Sequence, residues 1–210
     1  QKALERTLQK IGQKKTKSGK YTMVVDPMNS GQLLRPMLSA VFGSALQQKN
    51  SFLLDKLGQK VGSDKFTLMD EPHLIGASGA RYFDSEGVAT EHRSIFDKGV
   101  LKTYYIDTYN AKKMGVDPTV ANPSVLILQE GNKDLHGLVA GVDRGILVTG
   151  FNGGNSNSST GDFSYGIEGF LIEKGKLTLP LSEMNVTGNM ITLWNSLAET
   201  GNDPRLDSSW

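Results

Sequence analysis

The sequence predicts an α+β domain, mostly antiparallel hairpins in a sheet able to curl toward a barrel, with three or four helices packed against it. Three observations carry that prediction. Short apolar runs flank charged turns at Asp97-Lys98-Gly99 and Glu173-Lys174-Gly175-Lys176, where glycine supplies the positive φ of a tight hairpin. Ile106, Thr108 and the neighbouring tyrosines suit a half-buried sheet. Helical spacing is confined to a few stretches, the broadest from Leu33 to Leu46.

At 210 residues the chain is one large domain or two small ones and can bury a substantial core. Basic and acidic residues number 23 and 22, a balance that argues against a nucleic-acid groove. Residues 1–20 depart from it, with seven Lys or Arg against Glu5 alone. A solvated helix face and linker fits that excess better than a grip on an anionic partner. The absence of cysteine excludes disulfides and thiolate metal ligands and is consistent with a reducing compartment. No apolar run is long enough to span a bilayer and no secretory signal pattern is present, so the expected location is cytoplasmic, without membrane contact.

In chain order, Leu4, Leu8 and Ile11 lie at helical spacing within residues 2–13, a stripe expected to dock on the body of the domain. Residues 1–20 thus form a basic helix and linker, and 21–210 the main domain. Tyr21 to Val25 is a strand stopped by Asp26-Pro27, and Ser30 is a candidate helix cap. Leu33, Leu34, Met37, Leu38, Val41, Phe42, Ala45 and Leu46 share one face of a buried helix of about four turns, which Pro36 should kink or whose start it should mark. Phe66 to Met69 is a short strand, and Val100 to Tyr109 extends the hairpin after Gly99. Val125-Leu126-Ile127-Leu128 reads as an interior strand, Asp134 to Ala140 as a short helix, and Gly145 to Phe151 as another strand.

Residues 152–161 are the most polar and glycine-rich piece of the chain. A phosphate-cradling loop would need a following helix and a nearby lysine, but a strand follows and the first lysine is Lys174. A mobile loop beside a binding surface is the better reading. The closing hairpin places Pro180 at a break or an edge, and Gly188-Asn189 opens a helix from Met190 to Glu199.

Among titratable groups, Asp84 and Glu86 would share a face in a strand, where one pKa would rise or a cation could bind. Their neighbours Ser85 and Gly87 equally suit a solvated turn, the reading preferred here. His73, His92 and His136 stand 19 and 44 residues apart, which matches no compact ligand spacing.

The order Asp162-Phe163-Ser164, Gly166, Gly169-Phe170, Ile172-Glu173, Gly175, Pro180, Ser182-Glu183, Gly188-Asn189 and Gly201-Asn202-Asp203 resembles the carboxy-terminal signature of the TldD/PmbA family, also called modulators of DNA gyrase. Phe83-Asp84-x-Glu86-Gly87-Val88-x-Thr90, Gly99-Val100-Leu101 and Ala111-x-Lys113-x-Gly115 are similar to the PmbA (TldE) branch. The resemblance covers the carboxy-terminal half of a family member. It implies a missing amino-terminal domain, a longer loop near 118–123 and a further strand after Trp210.

In the family's catalytic branch, the equivalent of the Leu33–Leu46 helix carries His-Glu-x-x-x-His after a Leu-Leu pair. Two such histidines ligate zinc and the glutamate takes a proton from the metal-bound water. Aligned on Leu33-Leu34, this chain has Arg35, Pro36 and Ala40 at those positions, none of which can ligate or act as base. The resemblance therefore implies a chain with no catalytic residues, metal ligands or cofactor of its own. It would be a PmbA/TldE-like subunit of a metalloprotease complex that processes unfolded peptides. The partner would be a TldD-like subunit holding the zinc, or a second copy of the chain. Phe151, Gly153 and Gly154, with Asp84 and Glu86, become candidate contacts to peptide or partner. Two other readings stay open, an active metallopeptidase using Asp84, Glu86 and His92, and a regulator of gyrase.

Overall fold

The computed structural model describes Leu8 and residues 11–204. In chain order the elements are β1 (Thr22–Val25), α1 (Gly31–Ser39), α2 (Gly43–Gln47), β2 (Leu68–Asp70), β3 (Arg93–Asp97), β4 (Val100–Leu101), α3 (Thr108–Met114), β5 (Leu126–Leu128), α4 (Leu135–Ala140), β6 (Arg144–Ser156), β7 (Asp162–Glu173), β8 (Lys176–Asn189) and α5 (Met190–Asn195). The strands form two open four-stranded sheets, ordered β1-β6-β7-β8 and β4-β3-β2-β5. The α+β class with antiparallel sheets stands; the curl into a barrel does not, because each sheet keeps two outer strands.

Both predicted hairpins form. Lys98 and Gly99 have φ of 46° and 77°, Lys174 and Gly175 of 49° and 74°, the paired left-handed residues of the turn that matches strand twist. Pro180 sits in β8, an outer strand, where a missing N–H costs no ladder bond on the open side. One pairing breaks the antiparallel rule, since β1 lies parallel to β6 in the register Thr22↔Gly145 to Val25↔Val148.

Elsewhere long-range contacts overrule local pattern. The helix expected over Leu33–Leu46 is split. Pro36 lies inside α1, and the break comes after Ser39, where Tyr105 N donates to Val41 O at 2.9 Å and Gly43 N donates to Tyr105 O at 2.6 Å. Those bonds take the backbone groups that a continuous helix would have used. Ser30 does not cap α1 through its side chain, since its hydroxyl donates to Pro27 O at 3.0 Å. Thr108 and Tyr109 open a helix rather than extending a strand. Asp107 caps it by accepting from Asn110 N at 2.8 Å, and Gly115 ends it with a φ of 69°. β5 is an outer, half-buried strand rather than an interior one. The closing helix stops at Asn195, and the described residues hold five short helices where three or four were expected.

The largest apolar cluster joins the two sheets through α1 and α5. Met37, Val41, Leu53, Phe66, Leu68, Ile95, Phe96, Tyr105 and Met190 are fully enclosed. Phe66 stacks between Phe96 and Trp194, with ring centroids 4.6 and 4.1 Å away. Along β6 the period of two is kept: Leu147 packs with Val24, Val139 and Ile172 beneath α4, while Ile146 and Val148 pack with Ile167 and Leu181 on the other face. The stripe predicted over residues 2–13 lies mostly outside the described residues, and its two described members, Leu8 and Ile11, are exposed. No helix among the described residues is long and apolar enough to cross a membrane.

Candidate functional site

Helix α1 has an apolar side because Leu33, Leu34, Met37 and Leu38 recur at helical spacing, and that side faces the core. Pro36 is buried with it, Ala40 is 1% exposed just beyond the helix, and Arg35 points to solvent. Ala40 is further fixed by its carbonyl, which accepts from Ser51 Oγ at 2.6 Å. The three positions therefore face different surroundings, and neither proline nor alanine offers a donor atom. Among the described residues, no three His, Asp or Glu side chains come together in a way that could hold a metal ion. Arg35, Pro36 and Ala40, as described, do not fit a zinc ion.

Asp84 and Glu86 belong to a structural turn. Asp84 is buried; its Oδ1 accepts from Glu86 N at 2.8 Å and Val88 N at 3.0 Å, and its Oδ2 from Ala121 N at 2.9 Å. Burial alone would raise its pKa. The three backbone donors and the positive charge of Arg81 outweigh that and hold the carboxyl below its usual range. Glu86 is exposed and reaches α3, accepting from Thr108 N and Thr108 Oγ1, both at 2.9 Å. The pair thus engages two different segments. His92 is occupied elsewhere, 2.9 Å from Glu71, and His73 lies 3.2 Å from Thr90 Oγ1. Asp84, Glu86 and His92 do not converge.

A site that the sequence did not announce lies beside the α1–α2 break. Segment 119–125 is held by four side chains. Asp84 takes Ala121; Arg81 donates through Nη2 to Asn122 O at 2.7 Å and Pro123 O at 2.9 Å, and through Nε to Ser124 Oγ at 3.1 Å. Buried Asp70 accepts from Ser124 N at 2.9 Å, Val125 N at 3.0 Å and Tyr105 Oη at 2.9 Å. Thr119 Oγ1 accepts from Ile106 N at 2.8 Å and donates to Tyr104 O at 2.9 Å. Burial, reinforced by the negative charge of Asp70, pushes the Tyr105 hydroxyl far above its ordinary pKa, so it stays protonated and donates to Asp70. The clamped segment walls a cleft of about 250 Å³ with Phe42, Ser44, Tyr105 and Asp107. The only local signal was the Asp70-Glu71-Pro72 strand end; its partners lie 35 and 54 positions away.

The glycine-rich stretch is not a mobile loop. Its first five residues complete β6, with Gly154↔Tyr165, Asn155↔Ser164 and Ser156↔Phe163 paired to β7 across a bulge. The remaining turn is tied down: Asn157 Oδ1 accepts from Ser159 N, Ser158 O accepts from Phe52 N, and Asn189 Nδ2 donates to Thr160 O. Asn189 and Thr160, both donating to Asp162, hold that carboxyl below its usual pKa. Phe151 is half-buried and packs edge-on to Tyr165 at 5.8 Å. Gly154 lies so close to Ser164 that a side chain would collide with the backbone, whereas Gly153 opens to free space. Of the three contact candidates, Gly153 and Gly154 are exposed and Phe151 is half-buried. A second cleft, of about 400 Å³, lies beyond this bulge, where Asn152 and Gly166 face Ser182, Asn185 and Gln13.

Residues 18–210 match the profile of the PmbA/TldA metallopeptidase C-terminal domain. A "Metalloprotease PmbA homolog" of Buchnera aphidicola is 31% identical over 205 residues, covering 97% of this chain and 46% of that protein. A crystal structure from Bacteroides thetaiotaomicron, named as a modulator of DNA gyrase, is 76% identical, with a TM-score of 0.98 over 100% of this chain and 48% of that one. TldE from Thermococcus kodakarensis, at 24% identity and a TM-score of 0.86 over 95% of this chain and 48% of its own, shares the fold. The chain spans about half the length of the relatives it matches. By this match and by the glycine and acid pattern of β7 and β8, the chain belongs to the PmbA/TldD family through its metallopeptidase carboxy-terminal domain.

Proposed function

We propose that this chain is the metal-free, PmbA/TldE-like member of a TldD/TldE-type assembly. It supplies chamber wall and peptide-binding surface to a TldD-like subunit that carries zinc and cleaves unfolded peptides in the cytoplasm. One observation carries the reading. Where the catalytic branch has His-Glu-x-x-x-His, this chain has solvent-facing Arg35, buried Pro36 and buried Ala40, and among the described residues no group of three His, Asp or Glu side chains comes together to replace them. With no general base and no ligand set, the chain's contribution is binding and assembly. The 31% identity to a relative named PmbA supports the choice of branch.

An active peptidase built on Asp84, Glu86 and His92 is disfavoured because each is already committed to its own partner. A gyrase-directed role has the names of relatives behind it, but the balanced overall charge of the chain argues against a nucleic-acid groove.

The test has two arms. Metal analysis of the purified chain should find no stoichiometric zinc, and the chain alone should leave a fluorogenic unfolded peptide intact. Co-expression with a TldD-like chain bearing His-Glu-x-x-x-His should give a complex that cleaves it. One zinc per chain, or hydrolysis by the chain alone, overturns the proposal.

A further inference from the structure

Asn152 is the only asparagine of the chain followed by glycine. The pair stands at the bulge of β6, where the register against β7 steps from Phe151↔Ile167 to Gly154↔Tyr165, so that Asn152 and Gly153 together face the single residue Gly166. Both are exposed. Asn152 lines the cleft of about 400 Å³, and none of the described residues hydrogen-bonds to its side-chain amide. Gly153 has a φ of 75°, and a Cβ built on it would meet no atom within 4 Å. A free carboxamide therefore precedes a backbone nitrogen whose own residue carries no side chain to obstruct it.

Neighbouring asparagines lack one or other of these features. Asn155 is paired in the ladder opposite Ser164 and is followed by Ser156. Asn157 Oδ1 accepts from Ser159 N at 2.9 Å and Thr160 N at 3.2 Å, which fixes its amide. Asn189 Nδ2 donates to Thr160 O at 2.8 Å and Asp162 Oδ1 at 3.0 Å. Only at Asn152 do an unheld amide, a following glycine and a break in the ladder coincide.

We propose that Asn152-Gly153 is a self-modification site, at which water converts Asn152 to aspartate and isoaspartate through a cyclic imide. The Gly153 amide nitrogen bonds to Asn152 Cγ as its proton passes to solvent base, the Cγ–Nδ2 bond breaks, and Nδ2 leaves as ammonia. Water then opens the imide at either carbonyl, so one water enters and one ammonia departs with no change of oxidation state. The two products act differently on the fold. Aspartate keeps the main chain of β6 and adds a carboxylate to a cleft already walled by Glu168 and Glu183, which makes it less hospitable to anions. Isoaspartate lengthens the main chain by one carbon between Phe151 and Gly154. Gly154 lies against the Ser164 backbone with no room to shift, so the lengthened strand loses its register there. This inference stands apart from the subunit role and uses none of it.

The test incubates the 210-residue chain warm in mildly alkaline buffer, folded and in urea, and follows each asparagine by proteolytic digestion and mass spectrometry. The fragment holding Asn152 is expected to gain the mass of an amide turned acid, to split into two isomers, and to form faster in step with hydroxide concentration. Asn155 and Asn157 should stay unmodified in the folded chain. Gly153→Ala should slow the conversion at least about tenfold, because a methyl group now crowds the attacking nitrogen. Asn152→Gln should abolish it and leave the melting temperature unchanged, and the isoaspartate fraction should melt below the aspartate fraction. Folding that protects Asn152 more than about a hundredfold relative to the urea-unfolded chain overturns the site, since the bulge would then be as closed as a regular ladder. Equal conversion at Asn155 or Asn157, or an unaltered rate in Gly153→Ala, overturns it as well.

Discussion

Asp84 and Ala121, 37 positions apart, are joined by one hydrogen bond, Ala121 N to Asp84 Oδ2 at 2.9 Å. The same carboxylate holds the turn at Glu86 and Val88, so a buried side chain that resembles half of a catalytic pair is the pin between two loops. Asp84→Ala leaves three backbone donors without their acceptor and should cost about 3 kcal/mol in urea unfolding at neutral pH. The sign with pH follows from the depressed pKa. The stabilisation is present above the ordinary carboxylate value of about 4 and is lost as pH falls through the lower folded value. Wild type should therefore lose more stability on acidification than Asp84→Asn, and parallel pH profiles would remove Asp84 from this role.

Glu86 gives a contrasting expectation. Its carboxylate caps the first turn of α3 from outside, so Glu86→Ala should cost about 1 kcal/mol by thermal melting. Peptide cleavage by an assembled complex should survive. Complete loss of cleavage with the fold intact would revive the carboxylate reading of this turn.

Reinstalling the family's motif should fail for steric reasons. Arg35→His changes a solvent-facing side chain and should shift stability by less than about 0.5 kcal/mol. Ala40→His pushes an imidazole into a position 1% exposed and should cost about 3 kcal/mol or more. The triple variant Arg35→His, Pro36→Glu, Ala40→His should be unstable in denaturant titration and take up no zinc by metal analysis; a stable, zinc-loaded triple variant contradicts this.

Gly153 and Gly154 form a matched pair, both in the left-handed region at φ of 75° and 96°. Gly153→Ala meets only the conformational penalty, about 1 kcal/mol. Gly154→Ala meets that penalty and the Ser164 carbonyl as well, and should fail to fold or melt far lower. Similar melting temperatures for the two would mean that β6 does not approach β7 as described.

Much of the fold was legible wherever local chemistry decides it. The turns at Lys98-Gly99 and Lys174-Gly175, the Asp134 cap of α4, and the Asn189 cap of α5 all announce themselves within four residues. The split between α1 and α2 was hidden because its cause, the pairing with Tyr105, comes from the far side of the sequence. Residues 152–156 read as loop because polarity and glycine signal turns, yet a strand needs only a partner ladder, and β7 provides one. At the candidate site, the expectation that Arg35, Pro36 and Ala40 stand where the catalytic branch has its ligands came only from family resemblance. The clamp on 119–125 needed three dimensions, since Asp70, Arg81 and Asp84 are ordinary charged residues until their backbone partners arrive.

The parallel pairing of β1 with β6 has a temporal consequence. Tyr21 and Arg144, which bond at the start of that pair, are separated by 123 positions. During synthesis β1 leaves the ribosome long before any neighbour exists for it, and closing so large a loop is slow. Until then Met23, Val24 and Val25 have no β6 to lie against, which leaves an apolar strand open to association with other chains.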